Sequence, residues 1–264
     1  MLRSAGNARI ALYHHIVRRR MAIDLKASFD DPFARWLDQR WRRRIGEKKL
    51  YVNDLFLTLV YRPSIGKVGI LDRLGDRARR SGGNAKASQE RDIRTLDAVR
   101  DSLIASLKPY GPRTLQRYDG AGGRCSEPLE FLSLILNGEL NPVVEPAGAV
   151  AHHLPYKRLS FGVEALESKG AGASEFSALL SMKEYPVSTT PGMLDGLLRL
   201  PIDMVVTESF SFIDRQVAQE RIDLAIRRLR AADDDTVTLR RGLMAAKDDA
   251  ASGGAAFGEH HMSV

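Results

Sequence analysis

The stretch NDLFLTLVYRPSIGKVG, residues 53–69, decides between two fold classes because it runs from a strand-like segment into a Gly-Lys pair. A phosphate-binding loop has the pattern G-x-x-x-x-G-K-[ST], in which backbone N–H groups surround the phosphate and the hydroxyl binds magnesium. Here Val68 follows Gly66 and Lys67, and Tyr61 stands where the first glycine is needed. The stretch therefore predicts a strand followed by a solvated turn, and not a nucleotide-binding loop.

The residue types around this stretch also indicate a strand. Residues 50–61 contain the run LFLTLV (55–60), whose apolar side chains point to both faces of a strand. This pattern is typical of a central strand that is covered on two sides. Further strands are predicted at residues 9–17, 113–118, 159–162, 176–182, 202–212 and 255–264.

Helices are predicted where apolar residues recur every three or four positions, and residues 88–107 show this period most clearly. Asp31 and Pro32 supply an acidic cap and a first-turn proline for an earlier helix. That helix carries the apolar residues Phe33, Trp36, Leu37 and Trp41. Other helices are predicted at 126–137, 190–198, 214–231 and 236–251, of which the last two form an αα-hairpin.

The order of these elements is not a regular alternation of strand and helix, which argues against a doubly wound nucleotide domain. We therefore predict an α+β fold with mixed or antiparallel sheets, packed helices and a C-terminal helical hairpin. Residues 141–155 contain three prolines and no hydrophobic period. This segment predicts two lobes, 1–145 with the basic early segment and 146–264 with the helical hairpin.

The overall composition limits the class of protein. With 264 residues, of which 44% are hydrophobic, the chain is long enough to bury a substantial core. No apolar run approaches the roughly 20 residues that a membrane span needs. The single cysteine, Cys125, excludes an internal disulfide and is typical of a protein from a reducing cytoplasm.

Positive charge is concentrated in the first fifty residues of a chain whose net charge is +7. Such charge attracts the phosphates of nucleic acid or of anionic lipid. The alternative interpretation is that the arginines solvate an exposed helix face. Trp36 and Trp41 are five residues apart and are not expected to form a base-stacking platform. The candidate phosphate or lipid contacts are Arg18, Arg19, Arg20, Arg42, Arg43 and Arg44.

No pattern in the sequence assigns a catalytic, cofactor-binding or metal-binding residue. The six histidines form three adjacent pairs, at 14–15, 152–153 and 260–261. Adjacent residues of a strand point to opposite faces, so such a pair cannot easily bind one ion, and we expect one histidine of each pair to be buried and the other solvated. The G-x-S-x-G pattern of a serine hydrolase does not occur.

Several stretches, taken in order, resemble the N-terminal region of the CagE/TrbE/VirB family, the large ATPases that energise type IV secretion and conjugation channels. The resemblance extends from about residue 5 to the end of the sequence. Each motif is modest, and their order and spacing carry the match. The motifs are ALYHHIVRRR (11–20), NDLFLTLVYRP (53–63), LKPYGPRTLQRYD (107–119), SEPLEFLSLILNGE (126–139), RLSFGVEALESKG (158–170), KEYPVSTTPGMLDGLLRLPIDMVVTESFSFIDR (183–215) and FGEHH (257–261).

The resemblance implies that the RecA-like motor of the family, which binds ATP and magnesium, follows the region seen here. On that basis we expect a non-catalytic assembly region that is cytoplasmic and peripheral to the bacterial inner membrane. Its expected partners are channel subunits and other copies of the ATPase, with DNA or anionic lipid at the basic segment. The strand at 255–264 has no stop signal after it, which suggests truncation before the motor, although a natural C-terminal strand stays open.

Two alternatives to an assembly region remain at this point. The first is a free-standing nucleic-acid-binding protein, which the arginine clusters favour although no known reading motif occurs. The second is a non-functional fragment of a disrupted ATPase gene, which would unfold or aggregate.

Overall fold

A computed structural model describes residues 8–21, 27–47, 50–62, 83–172, 174–186, 189–231 and 237–264. The helices within these ranges are α1 (Pro32–Gly46), α2 (Gly83–Leu107), α3 (Glu127–Asn137), α4 (Arg215–Ala231) and α5 (Val237–Ser252). The strands are β1 (Ile10–Met21), β2 (Leu50–Tyr61), β3 (Arg117–Gly120), β4 (Gly123–Ser126), β5 (Arg158–Phe161), β6 (Leu166–Lys169), β7 (Ser174–Ser177), β8 (Met204–Phe212) and β9 (Gly258–Ser263).

The chain divides into two compact units. Unit one is Met1–Val99 together with Met182–Val264, and unit two is Arg100–Ser181. The lobes predicted from the sequence, 1–145 and 146–264, do not coincide with these units and stay a prediction about independently folding domains.

Unit one is built on a four-stranded sheet in the order β2-β1-β8-β9. Every neighbouring pair is antiparallel: Ile16 of β1 lies opposite Leu55 of β2 and Val206 of β8, and Glu208 of β8 lies opposite Met262 of β9. The other sheets described are also antiparallel. These sheets, together with separate helices, confirm the predicted α+β class.

Strand β2 differs from the prediction of a central strand, because it lies at an edge of the sheet. Leu55 is 67% exposed and Leu57 is 47% exposed. A run of apolar residues shows that a strand has two apolar faces, but it does not show whether other elements cover them. The prediction failed because that cover depends on segments distant in the sequence.

Two apolar clusters are buried in the described part of unit one. Met204, Val206 and Met262 are buried on the sheet, and Leu194 and Leu197 pack against them. In the predicted αα-hairpin, which α4 and α5 confirm, Ile222 and Ile226 pack with Ala250, and Leu243, Ala246 and Phe257 surround them. The hairpin thus has its own apolar cluster.

Unit two contains the β3-β4 hairpin, helix α3 and the three-stranded sheet β5-β6-β7. Helix α3 buries Phe131 and Leu134, and Cys125 before it is also buried. The helix ends at Gly138, whose φ of 73° is a left-handed conformation that favours glycine. The buried Asn137 donates from Nδ2 to the carbonyl oxygen of Leu154 at 2.9 Å.

Other predicted elements moved or lie outside the described residues. The strand predicted at 113–118 is observed as β3, the one at 176–182 as β7, and the helix predicted at 190–198 consists of turns ending in the short helix Leu197–Arg199. The Gly66-Lys67 pair and the turn predicted there lie outside the described residues, as does the predicted turn at 233–235.

Candidate docking surface

The first arginine cluster lies on strand β1 and not on a helix. Arg18 is buried, with only 8% of its surface exposed. Its guanidinium donates to the carbonyl oxygen of Leu200 at 2.7 Å and to Oδ1 of Asn53 at 2.9 Å, and it lies over the ring of Tyr51. The side chain therefore ties β1 to its neighbour β2 and to the segment that precedes β8.

The next two arginines alternate between the two faces of the strand. Arg19 forms an ion pair with Asp54, with Nε 2.7 Å from Oδ2, and both side chains are partly exposed. The backbone N–H of Arg20 donates to Asp203, and its side chain is exposed. A role of these three residues in binding phosphate or lipid stays a prediction.

The second arginine cluster lies on helix α1, which begins as its sequence predicts. The side chain of Asp31 accepts a hydrogen bond from the backbone N–H of Ala34 at 2.8 Å, and Pro32 occupies the first turn. This cap satisfies one of the N–H groups that every helix leaves free at its start. Arg43 and Arg44 lie in the last turn, where the helix dipole favours positive charge.

Helix α1 exposes the face that an amphipathic helix normally buries, and none of its residues is buried. The exposed fractions are 67% for Phe33, 52% for both Trp36 and Leu37, and 55% for Trp41. At 3.6 residues per turn, these four side chains lie within an arc of roughly 140°. We call this arc the aromatic face of α1.

The opposite side of α1 is the half-buried one. Ala34, Asp38, Arg42 and Ile45 lie there and are each partly covered. Arg42 forms an ion pair with Asp38, with Nε 2.6 Å from Oδ2, and also donates to the carbonyl oxygen of Ala27. Of the six arginines predicted to contact phosphate or lipid, three therefore have side chains that already bond to other groups of the chain: Arg18, Arg19 and Arg42.

The remaining arginines of α1 are on the solvent side. Arg35, Arg40, Arg43 and Arg44 are exposed. Arg35 lies away from the aromatic face, whereas the guanidinium of Arg40 lies 5.4 Å from the centre of the Trp36 ring. By helical spacing, Arg40 and Arg44 fall within the aromatic face, and Arg43 borders it. This surface was not predicted from the sequence, although the aromatic residues at positions 33, 36 and 41, with arginines between them, were an available signal.

The histidine pairs follow the predicted pattern only on β1. His15 is buried and lies 3.0 Å from the hydroxyl of Thr207, and burial followed by the charge of His14 lowers its pKa. His14 is half-buried, and its Nδ1 lies 3.4 Å from Oε2 of Glu208. Both members of the pairs at 152–153 and 260–261 are exposed, so that prediction was wrong for them.

Unit one also contains a cleft of about 270 Å³ beside β8 and β9. Its walls include Met182, Met193 and Glu208, together with Tyr185, whose hydroxyl lies 2.9 Å from Nδ1 of His260. Within the described ranges, no three His, Cys, Asp or Glu side chains form a group that could hold a metal ion. In the same part of the chain, every helix is too short or too polar to cross a bilayer.

Residues 113–264, more than half of the chain, match the family described as "CagE, TrbE, VirB family, component of type IV transporter system". The chain belongs to the CagE, TrbE, VirB family. Residues 1–68 match a second description, "Type IV secretion system ATPase VirB4/TrbE, N-terminal domain". Helix α1 and the β1-β2 pair of this family member therefore lie in the part matched by that N-terminal domain.

Curated relatives agree with this assignment. The type IV secretion system protein virB4 of Bartonella henselae is 31% identical over 264 residues, which is 100% of this chain and 34% of that protein. The virB4 protein of Brucella suis is 30% identical over 271 residues, with 100% and 32% covered. The type IV secretion system protein PtlC of Bordetella pertussis is 29% identical over 269 residues, with 99% and 32% covered. The chain thus spans about a third of the length of these relatives.

Proposed function

We propose that this chain is a non-catalytic assembly and docking region of a type IV secretion system ATPase. The observation that carries the proposal is the edge of the unit-one sheet. Strand β2 is twelve residues long, and within the described residues its outer side pairs with no other strand. Such an edge, with Leu55 and Leu57 exposed beside it, is a site where another polypeptide can add a strand.

The two family matches support this proposal. One family description calls its members components of a transporter system, and the other names the N-terminal domain of an ATPase. No G-x-x-x-x-G-K-[ST] pattern occurs in the 264 residues. We therefore infer that ATP and magnesium bind in a part of the full-length relatives that this chain does not match.

The location and partners follow from the same proposal. The chain would work on the cytoplasmic side of the bacterial inner membrane as a peripheral component. Its partners would be the channel subunits at that membrane and other copies of the ATPase.

Calorimetry with ATP and magnesium tests the non-catalytic part of the proposal. Titration into the purified chain should give no saturable heat, because no residue pattern for binding a triphosphate is present. Saturable binding in the micromolar range would refute a non-catalytic role.

Co-purification tests the docking part. The chain, expressed with the other subunits of a secretion system, should be recovered with them from solubilised membranes. The double variant Leu55→Glu and Leu57→Glu places two charges beside the sheet edge and should abolish this recovery. The matched control is Val237→Glu with Leu239→Glu, which adds the same charge at exposed positions of α5. Equal recovery of both double variants would contradict docking at β2.

A basic nucleic-acid-binding protein is the second candidate, and the net charge of +7 favours it. Its affinity for DNA would fall steeply with salt, by roughly one unit of log slope per phosphate contact. Absence of binding at low salt would eliminate this candidate. A cooperative thermal melt followed by circular dichroism would argue against the third interpretation, a non-functional fragment.

A further inference from the structure

The aromatic face of α1 is positively charged as well as exposed. Helix α1 carries five arginines and one carboxylate, a formal charge of +4. The carboxylate belongs to Asp38, which lies on the half-buried side and is paired with Arg42. Arg40 and Arg44 therefore lie among exposed apolar side chains, and the carboxylates nearest to this face, Asp30 and Glu47, lie just beyond the two ends of the helix.

Exposed apolar side chains and arginines on one face indicate what kind of partner binds there. An acidic protein surface would match the arginines but would offer little to four exposed apolar side chains. The interface of an anionic bilayer offers both, because phosphates lie directly above hydrocarbon. Tryptophan is enriched at this depth in membranes, since its ring is apolar and its N–H needs a polar partner.

We propose that helix α1 lies flat in the headgroup region of an anionic lipid bilayer. Phe33, Trp36, Leu37 and Trp41 enter the apolar boundary, and Arg40, Arg43 and Arg44 contact lipid phosphates. At 1.5 Å per residue, the fifteen residues of α1 are about 22 Å long, which suits a helix in the plane of the interface and not one that spans the bilayer. The inference rests on the proposed peripheral location at the membrane. It adds that α1 is the surface that contacts the membrane and that anionic lipid is the ligand.

The chain provides its own probe for this contact. Its two tryptophans, Trp36 and Trp41, both lie on the aromatic face, so that all tryptophan emission comes from α1. Vesicles of phosphatidylcholine with about 30% phosphatidylglycerol should shift this emission to shorter wavelength and protect it from acrylamide at about 0.15 M salt. Vesicles of phosphatidylcholine alone should produce a much weaker response.

Variants separate the charged contribution from the apolar one. Each arginine near an anionic surface contributes about fivefold in affinity, so Arg43→Gln with Arg44→Gln should weaken vesicle binding by roughly 30-fold. Phe33→Ser should weaken it by about tenfold through lost apolar burial and leaves both tryptophans as reporters. The matched control is Arg240→Gln with Arg241→Gln, an adjacent exposed pair on α5, and it should retain wild-type binding.

The opposite results overturn the proposal. An unchanged emission spectrum with anionic vesicles does so, and so does an equal loss of binding in the α1 and α5 arginine variants. A response to a DNA duplex without a response to vesicles would assign the surface to nucleic acid instead. If vesicle binding fails while co-purification through β2 persists, docking to channel subunits stands and lipid contact by α1 is wrong.

Discussion

Asn137 at the end of α3 joins two segments of unit two, and its removal is expected to destabilise that unit. Only 3% of its surface is exposed. Its Nδ2 donates to Leu154 at 2.9 Å, and its Oδ1 accepts from the backbone N–H groups of Tyr156 at 3.2 Å and Lys157 at 3.4 Å. Replacement of Asn137 would leave these three backbone groups without the partner they now have.

The magnitude follows from these bonds. At about 1 kcal/mol for each well-formed hydrogen bond and less for the longest one, Asn137→Ala should lower the free energy of unfolding by roughly 2–3 kcal/mol. For a unit of this size, that loss corresponds to about 10 °C or more in the midpoint of thermal unfolding. Asn137→Asp keeps the shape but replaces the donor to Leu154 with an acceptor, so it should destabilise the unit without creating a cavity.

Thermal unfolding followed by circular dichroism measures the loss, and hydrogen exchange locates it. Amides of α3 should exchange faster in the Asn137 variants, while those of β1 in unit one should not change. The matched control is Asn141→Ala, because Asn141 is exposed and its Nδ2 donates to the exposed side chains of Glu139 and Tyr156. If Asn137→Ala and Asn141→Ala differ by less than about 0.5 kcal/mol, the reasoning is refuted.

Three further predictions concern single positions. Arg18→Ala should lower the free energy of unfolding by about 3 kcal/mol in urea titration, because it removes a buried guanidinium that donates charge-assisted hydrogen bonds to Leu200 and Asn53, whereas the exposed Arg20→Ala should have little effect. The pKa of His15 is lowered, first by burial, from 6.5, so the unfolded chain takes up a proton that the folded chain does not. Stability should therefore fall as the pH drops below 6.5, and less so in His15→Gln, as denaturation midpoints at several pH values will show. Gly138→Ala should cost about 1 kcal/mol because of its φ of 73°, while Gly172→Ala, which has open space around it, should be near neutral in the same titration.

Features fixed by a few neighbouring residues were predictable from the sequence. The start of α1 depends on Asp31, Pro32 and the N–H of Ala34, which lie within four positions, and the structure confirms it. Likewise, the end of α3 at Gly138 depends on a left-handed residue directly after the helix. Local chemistry of this kind needs no knowledge of the rest of the chain.

Features that depend on distant segments were not predictable in the same way. The sequence treats Arg18 and Arg43 alike, as members of two basic clusters. The structure separates them, because Arg18 meets the carbonyl of Leu200, 182 residues away, while Arg43 remains exposed. The exposure of the aromatic face of α1 also has this origin, since an apolar period predicts a helix with one apolar face but not what covers it.

The discontinuity of unit one in the chain has a consequence for synthesis on the ribosome. His15 of β1 contacts Thr207 of β8 across 192 positions of sequence, and unit two is encoded wholly between them. Contacts between residues so far apart in sequence are slow to form, and β8 leaves the ribosome long after β1. Unit two is therefore expected to fold first on the nascent chain. Until β8 is synthesised, the edge of β1 that later pairs with β8 is unpaired and accessible to chaperones.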